Sequence, residues 1–486
     1  MARVAFFQKD VFAKPAVMAL SASLKEAGHE SFVVVADLEK NPVKAVLALN
    51  PDVVAFSITT AEFPFLKEMG SRLRALSDKI FIVCGGIHST FYPQVISEPY
   101  LDAVCRGEAD EAFPEFVNAL GAGNAYENVQ NFWVKKHGVI WKNDLKPLVK
   151  NLDSLPFYDR RIYPRYSLYA GKSKGILYHQ VIHAGRGCPR SCSFCFNECY
   201  KSLYEGKGSP VRRRSVNHLI AELKALKSSG DIDFITIDDD SFTIAPSEWI
   251  NHFCEVYPLE IGLPFKINTI PDALDETLVR RLKQAGCYAV KMGIESGNDA
   301  VRNVILKKNL RKESIIEAAS LLKQYDIRFQ TFNMVGCPRE NLAMAFETYA
   351  LNRRIRPDFV WCSLLTPYPG TAVFDLCKHE GLISGGDDYT KINYSYFTGT
   401  PLNLPHKQEL INLQKLMNVA VRLNLPERVL RFLVKLPLSG LYNFIFGIGM
   451  TWGLIRINKD ALLSIAWLSL RYFSRYNKNE KKGKVK

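Results

Sequence analysis

The chain has 486 residues, of which 47% are hydrophobic, 23% charged and 12% aromatic. That composition excludes disordered and fibrous proteins and fits two or three globular domains. Lys and Arg number 63 against 49 Asp and Glu, for a formal charge of +14, and the excess sits at one end: Val421–Lys486 holds 13 Lys and Arg against 3 Asp and Glu, a net of +10. A nucleic-acid groove through the main body is therefore not supported, whereas a basic tail facing an anionic surface is.

The first residues, Met1-Ala2-Arg3 followed by Val4–Phe7, are too short an apolar run for a signal peptide, which predicts a cytoplasmic protein. Eleven cysteines in a reducing compartment argue against a disulfide framework. Isolated ones such as Cys84, Cys254 and Cys362 read as small buried hydrophobes. Cys188, Cys192, Cys195 and Cys199 are not isolated.

In chain order, residues 1–121 alternate strand and helix. Strands are predicted over Arg3–Gln8, Ser31–Ala36, Val53–Ile58, Ile80–Cys84 and Ala103–Arg106, and helices over Ala16–Glu26, Val43–Leu49, Phe63–Leu76 and from Glu111. Continuous apolar strands separated by amphipathic helices predict a parallel sheet covered on both faces, of the flavodoxin-like, Rossmann-type α/β class. Residues 122–175 read as a hairpin, Asn131–Trp141 around His137-Gly138, followed by a Pro- and Tyr-rich linker over Leu152–Tyr169. From 176 to 404 the alternation resumes, with strands predicted at 178–184, 233–238, 264–269, 288–294, 328–335 and 359–365. Six strand–helix units suggest a partial (β/α)6 barrel with its chemistry at the C-terminal strand ends.

Residues 405–486 read as helical, apolar and basic. Leu436–Ile455 has no charged residue over 20 positions, but Pro437, Gly440, Gly447, Gly449 and Gly453 weaken a helix there. Ala461–Leu470 is a second, shorter apolar stretch. Helices lying on a membrane surface are favoured over a soluble cap or a true span.

The segment Gly187–Cys195 reads GCPRSCSFC, a C-x3-C-x2-C spacing just after a strand. Thiolate-only ligation selects zinc or an iron–sulfur cluster. Zinc usually takes C-x2-C pairs and four ligands; three thiolates on one loop leave one iron of a [4Fe–4S] cluster open. With Cys199 as a fourth ligand the site would instead be a closed structural or electron-transfer centre.

With Phe194 before the third cysteine, this motif resembles that of the radical S-adenosylmethionine superfamily, and further elements follow in the family's order. Phe234–Phe242 (FITIDDDSF) resembles the strand-two element that meets the methionine amine. Gly293–Gly297 (GIESG) resembles the strand-four element near the ribose, Met334–Glu340 (MVGCPRE) the strand-five turn beside the adenine, and Thr366–Thr371 (TPYPGT) the sixth-strand ending. The resemblance implies a cluster on Cys188, Cys192 and Cys195, and S-adenosylmethionine held by Phe194, Asp238, Asp239, Asp240, Glu295 and Gly336. Three adjacent acids also need a cation or donors to face. Relatives often carry an Arg after strand three for the methionine carboxylate; here Ile270 stands there, and Lys291 is the candidate substitute.

The first domain, joined to such a barrel, resembles the cobalamin-binding branch of that superfamily. Ser57-Ile58-Thr59 matches the Ser/Thr pair beside the cobalamin tail, Gly85-Gly86 matches the glycines that leave it room, and His88 is a candidate contact to the corrin or its tail. The loop after the first strand, Gln8–Ala13, has no His, so no histidine ligand is expected under the cobalt. No G-x-G-x-x-G follows that strand, which weakens a flavin or dinucleotide reading; a flavodoxin-like domain that binds nothing is the plain alternative.

The resemblance implies a cobalamin-dependent radical enzyme resembling the class B methyltransferases. It would methylate an unactivated carbon of a hydrophobic substrate (a lipid, an isoprenoid or a tetrapyrrole) through a 5′-deoxyadenosyl radical and methylcobalamin, with electrons from a flavodoxin or ferredoxin. The alternatives are a non-methylating oxidative cyclase or rearrangement enzyme and, from another class, a non-catalytic iron–sulfur electron carrier or redox sensor. No side chain stands out as a catalytic acid, base or nucleophile. Peripheral membrane contact is expected through the C-terminus.

Overall fold

The computed structural model describes residues 1–163, 179–230, 232–383 and 397–458. Residues 164–169 of the predicted linker, the start of the first barrel strand and Ala461–Leu470 lie outside them.

The first sheet comprises β1 (Arg3–Gln8), β2 (Glu30–Val35), β3 (Val53–Ser57), β4 (Phe81–Gly85), β5 (Ala103–Cys105), β6 (Phe132–Lys136) and β7 (Val139–Lys142), in the order β2-β1-β3-β4-β5-β6-β7. The first five are parallel. Their helices are α1 (Pro15–Glu26), α2 (Pro42–Leu47), α3 (Phe63–Leu76), α4 (Ile87–Phe91) and α5 (Ala112–Gly121). Apolar side chains on alternate positions feed two cores, one on each face: Val4 and Phe6 on one side, Ala5 and Phe7 on the other. The strand order reverses between β1 and β3, so the crevice of this domain lies beyond the C-terminal ends of those strands. The short α4 is not among the predicted helices.

The predicted hairpin turns at His137 and Gly138, both at positive φ (53° and 76°), as a two-residue turn requires. It does not stand apart from the first domain: β6 pairs antiparallel with β5 and adds two strands to the sheet edge.

The second sheet is parallel and six-stranded. It contains β8 (His179–Ile182), β11 (Phe234–Ile237), β12 (Phe265–Thr269), β13 (Cys287–Glu295), β14 (Arg328–Val335) and β15 (Phe359–Leu364), side by side in that order. β8 and β15 do not pair among the described residues, so the barrel is open. The two-residue strands β9 (Gly185–Arg186) and β10 (Arg212–Arg213) form a separate antiparallel ribbon just before the cysteine loop. Helices α6 (Phe196–Leu203), α7 (Val216–Ser228), α8 (Ser247–Glu260), α9 (Glu276–Gln284), α10 (Lys312–Gln324), α11 (Leu342–Ile355) and α12 (Ala372–His379) connect the strands.

At the C-terminus, α13 (Lys407–Arg422), α14 (Glu427–Leu433) and α15 (Ser439–Asn458) close one side and the floor of the barrel. The glycines that read as helix breakers lie within one 20-residue helix, and two of them form its packing face. A Cβ on Gly449 would stand 2.9 Å from Val419, and one on Gly453 2.0 Å from the Phe359 ring. The missing side chains let the backbone of α15 lie directly on α13 and β15. The end of α15 meets the N-terminal ends of the strands: Arg456 pairs with Asp358 at 2.8 Å, its carbonyl accepts from Tyr288 at 3.2 Å, and Asn458 meets Lys266. No helix among the described residues is long and apolar enough to cross a membrane.

Candidate cofactor site between the two domains

The cysteine loop leaves β9 at Gly187, whose φ is +86° and whose Cβ would lie 2.3 Å from the Pro210 carbonyl oxygen. Only glycine permits that approach. The loop is pinned at its centre. Ser193 donates from its amide to the Leu306 carbonyl at 3.0 Å and from its hydroxyl to the Ile305 carbonyl at 2.7 Å, while its own carbonyl accepts from the Val373 amide at 2.9 Å. Cys195 caps α6 and accepts from the Asn197 amide group at 3.6 Å.

Cys192 is buried, and Cys188 and Cys195 are half-buried. Burial raises all three thiols, Cys192 up to about 11, and each thiol interacts electrostatically with at least one of the others. The Lys308 ammonium works the other way, favouring the thiolate of Cys192. Among the described residues no three His, Cys, Asp or Glu side chains gather round a single ion. An iron–sulfur cube takes one thiolate on each of three irons, so its ligands stand farther apart than those of one ion. Three coupled thiols on a pinned loop, facing a cation, fit that larger group. Cys199 lies one turn along α6, and its thiol donates to the Gly370 carbonyl at 3.0 Å.

The three adjacent aspartates diverge. Burial alone would raise the Asp238 carboxyl, but Lys291 at 2.9 Å and Asn268 at 3.0 Å hold it down at about 2. Asp238 keeps 42% of its side chain exposed at the strand end. Asp239 is buried and structural: it accepts from the amides of Ala184 and Gly185 (2.7 and 3.1 Å) and pairs with Arg213 at 3.0 Å. Asp240 accepts from the Gly187 amide at 3.1 Å and so braces the cysteine loop. Ile270, where an Arg is expected, is buried. Asn268 Oδ1 is buried with no hydrogen-bond partner among the described residues.

Glu295 ends β13 at φ +61° and forms an ion pair with Lys308 at 2.8 Å, both side chains 10% exposed or less. Gly293 makes the space for this pair, since a Cβ there would lie 2.3 Å from Glu295 Oε1 and 2.7 Å from Lys308 Nζ. Gly336 turns at φ +78°, and its amide and that of Cys337 donate to Glu340 Oε2 at 2.6 and 3.0 Å. Glu340 is fully enclosed, its Oε1 has no partner among the described residues, and burial pushes its carboxyl up to about 7. Phe194 packs with the apolar group around Leu306, Cys337 and Leu365.

Lys308 and Glu340 escape sequence reasoning. Lys307-Lys308 reads as an exposed basic pair; Glu340 carries a weak signal, an acid four residues after a turn glycine.

In the first domain, Ser57 ends β3, and its carbonyl accepts from Lys14 Nζ at 3.1 Å. Thr59 is engaged locally, its amide and hydroxyl both donating to Glu62 at 2.9 and 3.0 Å. Gly86, at φ +95°, would place a Cβ 2.6 Å from the Ile58 carbonyl oxygen; Gly85 would meet nothing nearer than 3.7 Å. Gly86 is thus required by the contact between the ends of β3 and β4, whereas a side chain at Gly85 would meet Cys105 at ordinary contact distance. His88 is 2% exposed, its Nδ1 3.2 Å from Thr60 Oγ1 and its ring against Phe63 and Tyr92. Burial pushes it down to about 4. Its buried Nε2 has no hydrogen-bond partner among the described residues. The loop after β1 is fastened by Gln8, which donates to the carbonyls of Asp10 and Phe12 at 2.8 and 3.0 Å.

The two halves of the site are locked together. Arg186, two residues before Cys188, makes a bidentate pair with Asp110 at 2.8 and 2.9 Å, and Arg212 makes another with Glu108 at 2.9 and 2.5 Å. The Glu108 amide donates to the Tyr204 hydroxyl at 2.8 Å.

A family model described as "B12 binding domain" matches residues 10–117, and one described as "Radical SAM superfamily" matches residues 182–351. An uncharacterised methyltransferase of Pyrococcus horikoshii is 26% identical over 344 residues, covering 70% of this chain and 72% of that one. The anaerobic magnesium-protoporphyrin IX monomethyl ester cyclase of Rubrivivax gelatinosus is 27% identical over 379 residues, covering 74% and 65%. The fold is similar to that of the cobalamin-dependent S-adenosylmethionine radical enzyme OxsB with aqua-cobalamin bound: TM-score 0.67 at 16% identity, over 98% of this chain and 81% of that one. With both domain models in this order, and a cysteine loop locked onto the first domain, the chain belongs to the cobalamin-binding branch of the radical S-adenosylmethionine superfamily.

Proposed function

We propose that this enzyme methylates an unactivated carbon of a hydrophobic substrate such as a lipid, an isoprenoid or a tetrapyrrole. The observation that carries the reading is the seam between the domains. Phe91, at the end of the short helix that follows Gly85-Gly86, stacks on Phe196, the residue after Cys195, with ring centroids 5.0 Å apart. A group held at the end of β4 and one held by the cysteine loop would therefore share one cleft.

When bound, the cluster and S-adenosylmethionine supply a radical able to take hydrogen from carbon, and cobalamin supplies the methyl group. The chain's own residues hold and orient. Cys188, Cys192 and Cys195 would ligate the cluster, with Lys308 offsetting their negative charge. Asp238, kept ionised, suits the methionine amine, and Lys291 beside it suits the carboxylate in place of the missing Arg. Glu295 Oε1 is held by Lys308, leaving its second oxygen for the ribose. Gly336, its turn clasped by Glu340, would border the adenine. Ser57, Thr59, Gly85 and His88 would line the cobalamin tail, and Phe194 would border S-adenosylmethionine. Asp239 and Asp240 act on the cysteine loop rather than on S-adenosylmethionine.

A second reading, a cyclase that adds no methyl, is favoured by the likeness to the Rubrivivax gelatinosus cyclase. Flavodoxin or ferredoxin would deliver electrons. The apolar, basic C-terminal region would bring the enzyme to the cytoplasmic face of a membrane. The test is incubation of reconstituted enzyme with lipid and pigment extracts and methyl-labelled S-adenosylmethionine. A product heavier by one labelled CH2 unit supports methylation; 5′-deoxyadenosine with no labelled product supports the cyclase reading.

A further inference from the structure

We infer that the exposed apolar stripe of α15, together with an adjoining arginine pocket on the barrel floor, is a docking surface for an anionic phospholipid bilayer. This rests on the membrane reading above and names the residues that would make the contact.

Leu441, Phe444, Ile448 and Trp452 are spaced by three, four and four residues and are 51%, 66%, 52% and 42% exposed. At 100° per residue they fall in one stripe, opposite the glycine face that packs on α13 and β15. Val429 and Phe432 on α14 and Leu438 before α15 are also exposed. Scattered exposed apolar residues need no explanation, but four aligned on one face of a helix do.

The stripe runs into positive charge. Arg422 lies 4.1 Å over the Trp452 ring. Beyond it opens a pocket of about 200 Å³, whose lining includes Arg356, Arg422, Arg456 and Asp358. Three guanidinium groups face one carboxylate, and that carboxylate is already paired with Arg456. Arg428 and Lys435 are also exposed. Glu427 is the only acid from 421 to 458 and is paired with Arg431 at 2.7 Å. An apolar stripe bordered by Arg and Lys, with an aromatic ring at the boundary, matches acyl chains on one side and headgroup phosphates on the other. A second copy of the chain would bring the same arginines against one another, so charge complementarity selects the bilayer.

The test is flotation of the full chain with vesicles of phosphatidylcholine alone or mixed with phosphatidylglycerol. Wild type should float with the mixed vesicles and be released by salt. Phe444→Glu/Ile448→Glu should lower the bound fraction at least about tenfold on both kinds. Arg356→Ala/Arg422→Ala should lower it roughly tenfold on the anionic vesicles only. Far-UV circular dichroism and elution volume check that the variants, all at exposed positions, remain folded. If wild type does not float, the membrane reading fails and this face with it. If wild type floats and Phe444→Glu/Ile448→Glu floats equally, the reading stands and this face is refuted. A dimer that the same substitutions split, in a protein that does not float, would assign the face to a second copy and overturn the proposal.

Discussion

Replacing Lys308 by Met tests the electrostatic logic of the site. Lys308 and Glu295 are 2.8 Å apart, with 10% and 9% of their side chains exposed. Water cannot take over either partner. Lys308→Met keeps the volume and removes the cation, leaving a carboxylate enclosed beside the cysteine loop. Breaking a buried pair from one side costs about 3–5 kcal/mol, far more than the same change at the surface. Lys308→Met/Glu295→Gln removes both charges and leaves only an amide to satisfy, so its cost should fall to about 1–3 kcal/mol. The assay is equilibrium urea unfolding of the cluster-free protein, followed by far-UV circular dichroism at low and high salt. The single variant should lose the larger amount at both, because burial keeps ions away, and the double variant should regain part of it. A loss below about 1 kcal/mol for Lys308→Met, or a double variant no better than the single, would refute the reasoning.

Cys192→Ala should abolish the visible absorbance and the reduced-state paramagnetic signal of the reconstituted cluster, whereas Cys199→Ala should retain both; loss in the Cys199 variant would establish a fourth ligand and a closed centre. Electron paramagnetic resonance of the Co(II) protein should show no nitrogen hyperfine splitting from below, because Gln8–Ala13 has no His and His88 is enclosed behind Thr60 and Phe63; such splitting would count against the assigned ligation. Burial raises Glu340 from 4.5 to about 7, so the folded state binds a proton more tightly than the unfolded one. Its stabilisation is fully present below about pH 4.5, declines as pH rises to about 7, and amounts on the order of 3 kcal/mol. Between about pH 4.5 and 7 wild type should therefore lose urea resistance relative to Glu340→Gln as pH rises, and the two midpoints should run parallel above about pH 7; parallel curves throughout would show that Glu340 does not titrate there.

What the sequence made legible, and what it hid, follows from distance along the chain. The strands of both sheets are buried on two faces, so each is an unbroken apolar run such as Val53–Ser57 or Phe234–Ile237. The cysteine ligands share one loop, so their spacing carries their chemistry. Lys308 was hidden because its partner is 13 residues away across a strand end. The run Asp238-Asp239-Asp240 reads as one cluster, yet successive side chains at a strand end point different ways; only Asp238 faces Lys291 and Asn268. Gly453 reads as a helix breaker until Phe359, far upstream, is seen to fill the space a side chain would take. The edge position of the hairpin was likewise set by its pairing with β5, which no local pattern records.

The carboxylate–guanidinium clasps around Glu108 and Asp110 bear on motion. Arg186 and Arg212 come from the ribbon that launches the cysteine loop, and both reach into one turn of the first domain. A hinge opening there would have to strip two paired ions of their partners at once, with Asp110 only 8% exposed and costly to leave without one. The two domains are therefore expected to travel as a single rigid body. Whatever is exchanged between the two cofactor positions must cross a gap of fixed width. Gating then falls to small elements at the rim, and the clasp sets the upper size of a reacting group that can sit between them.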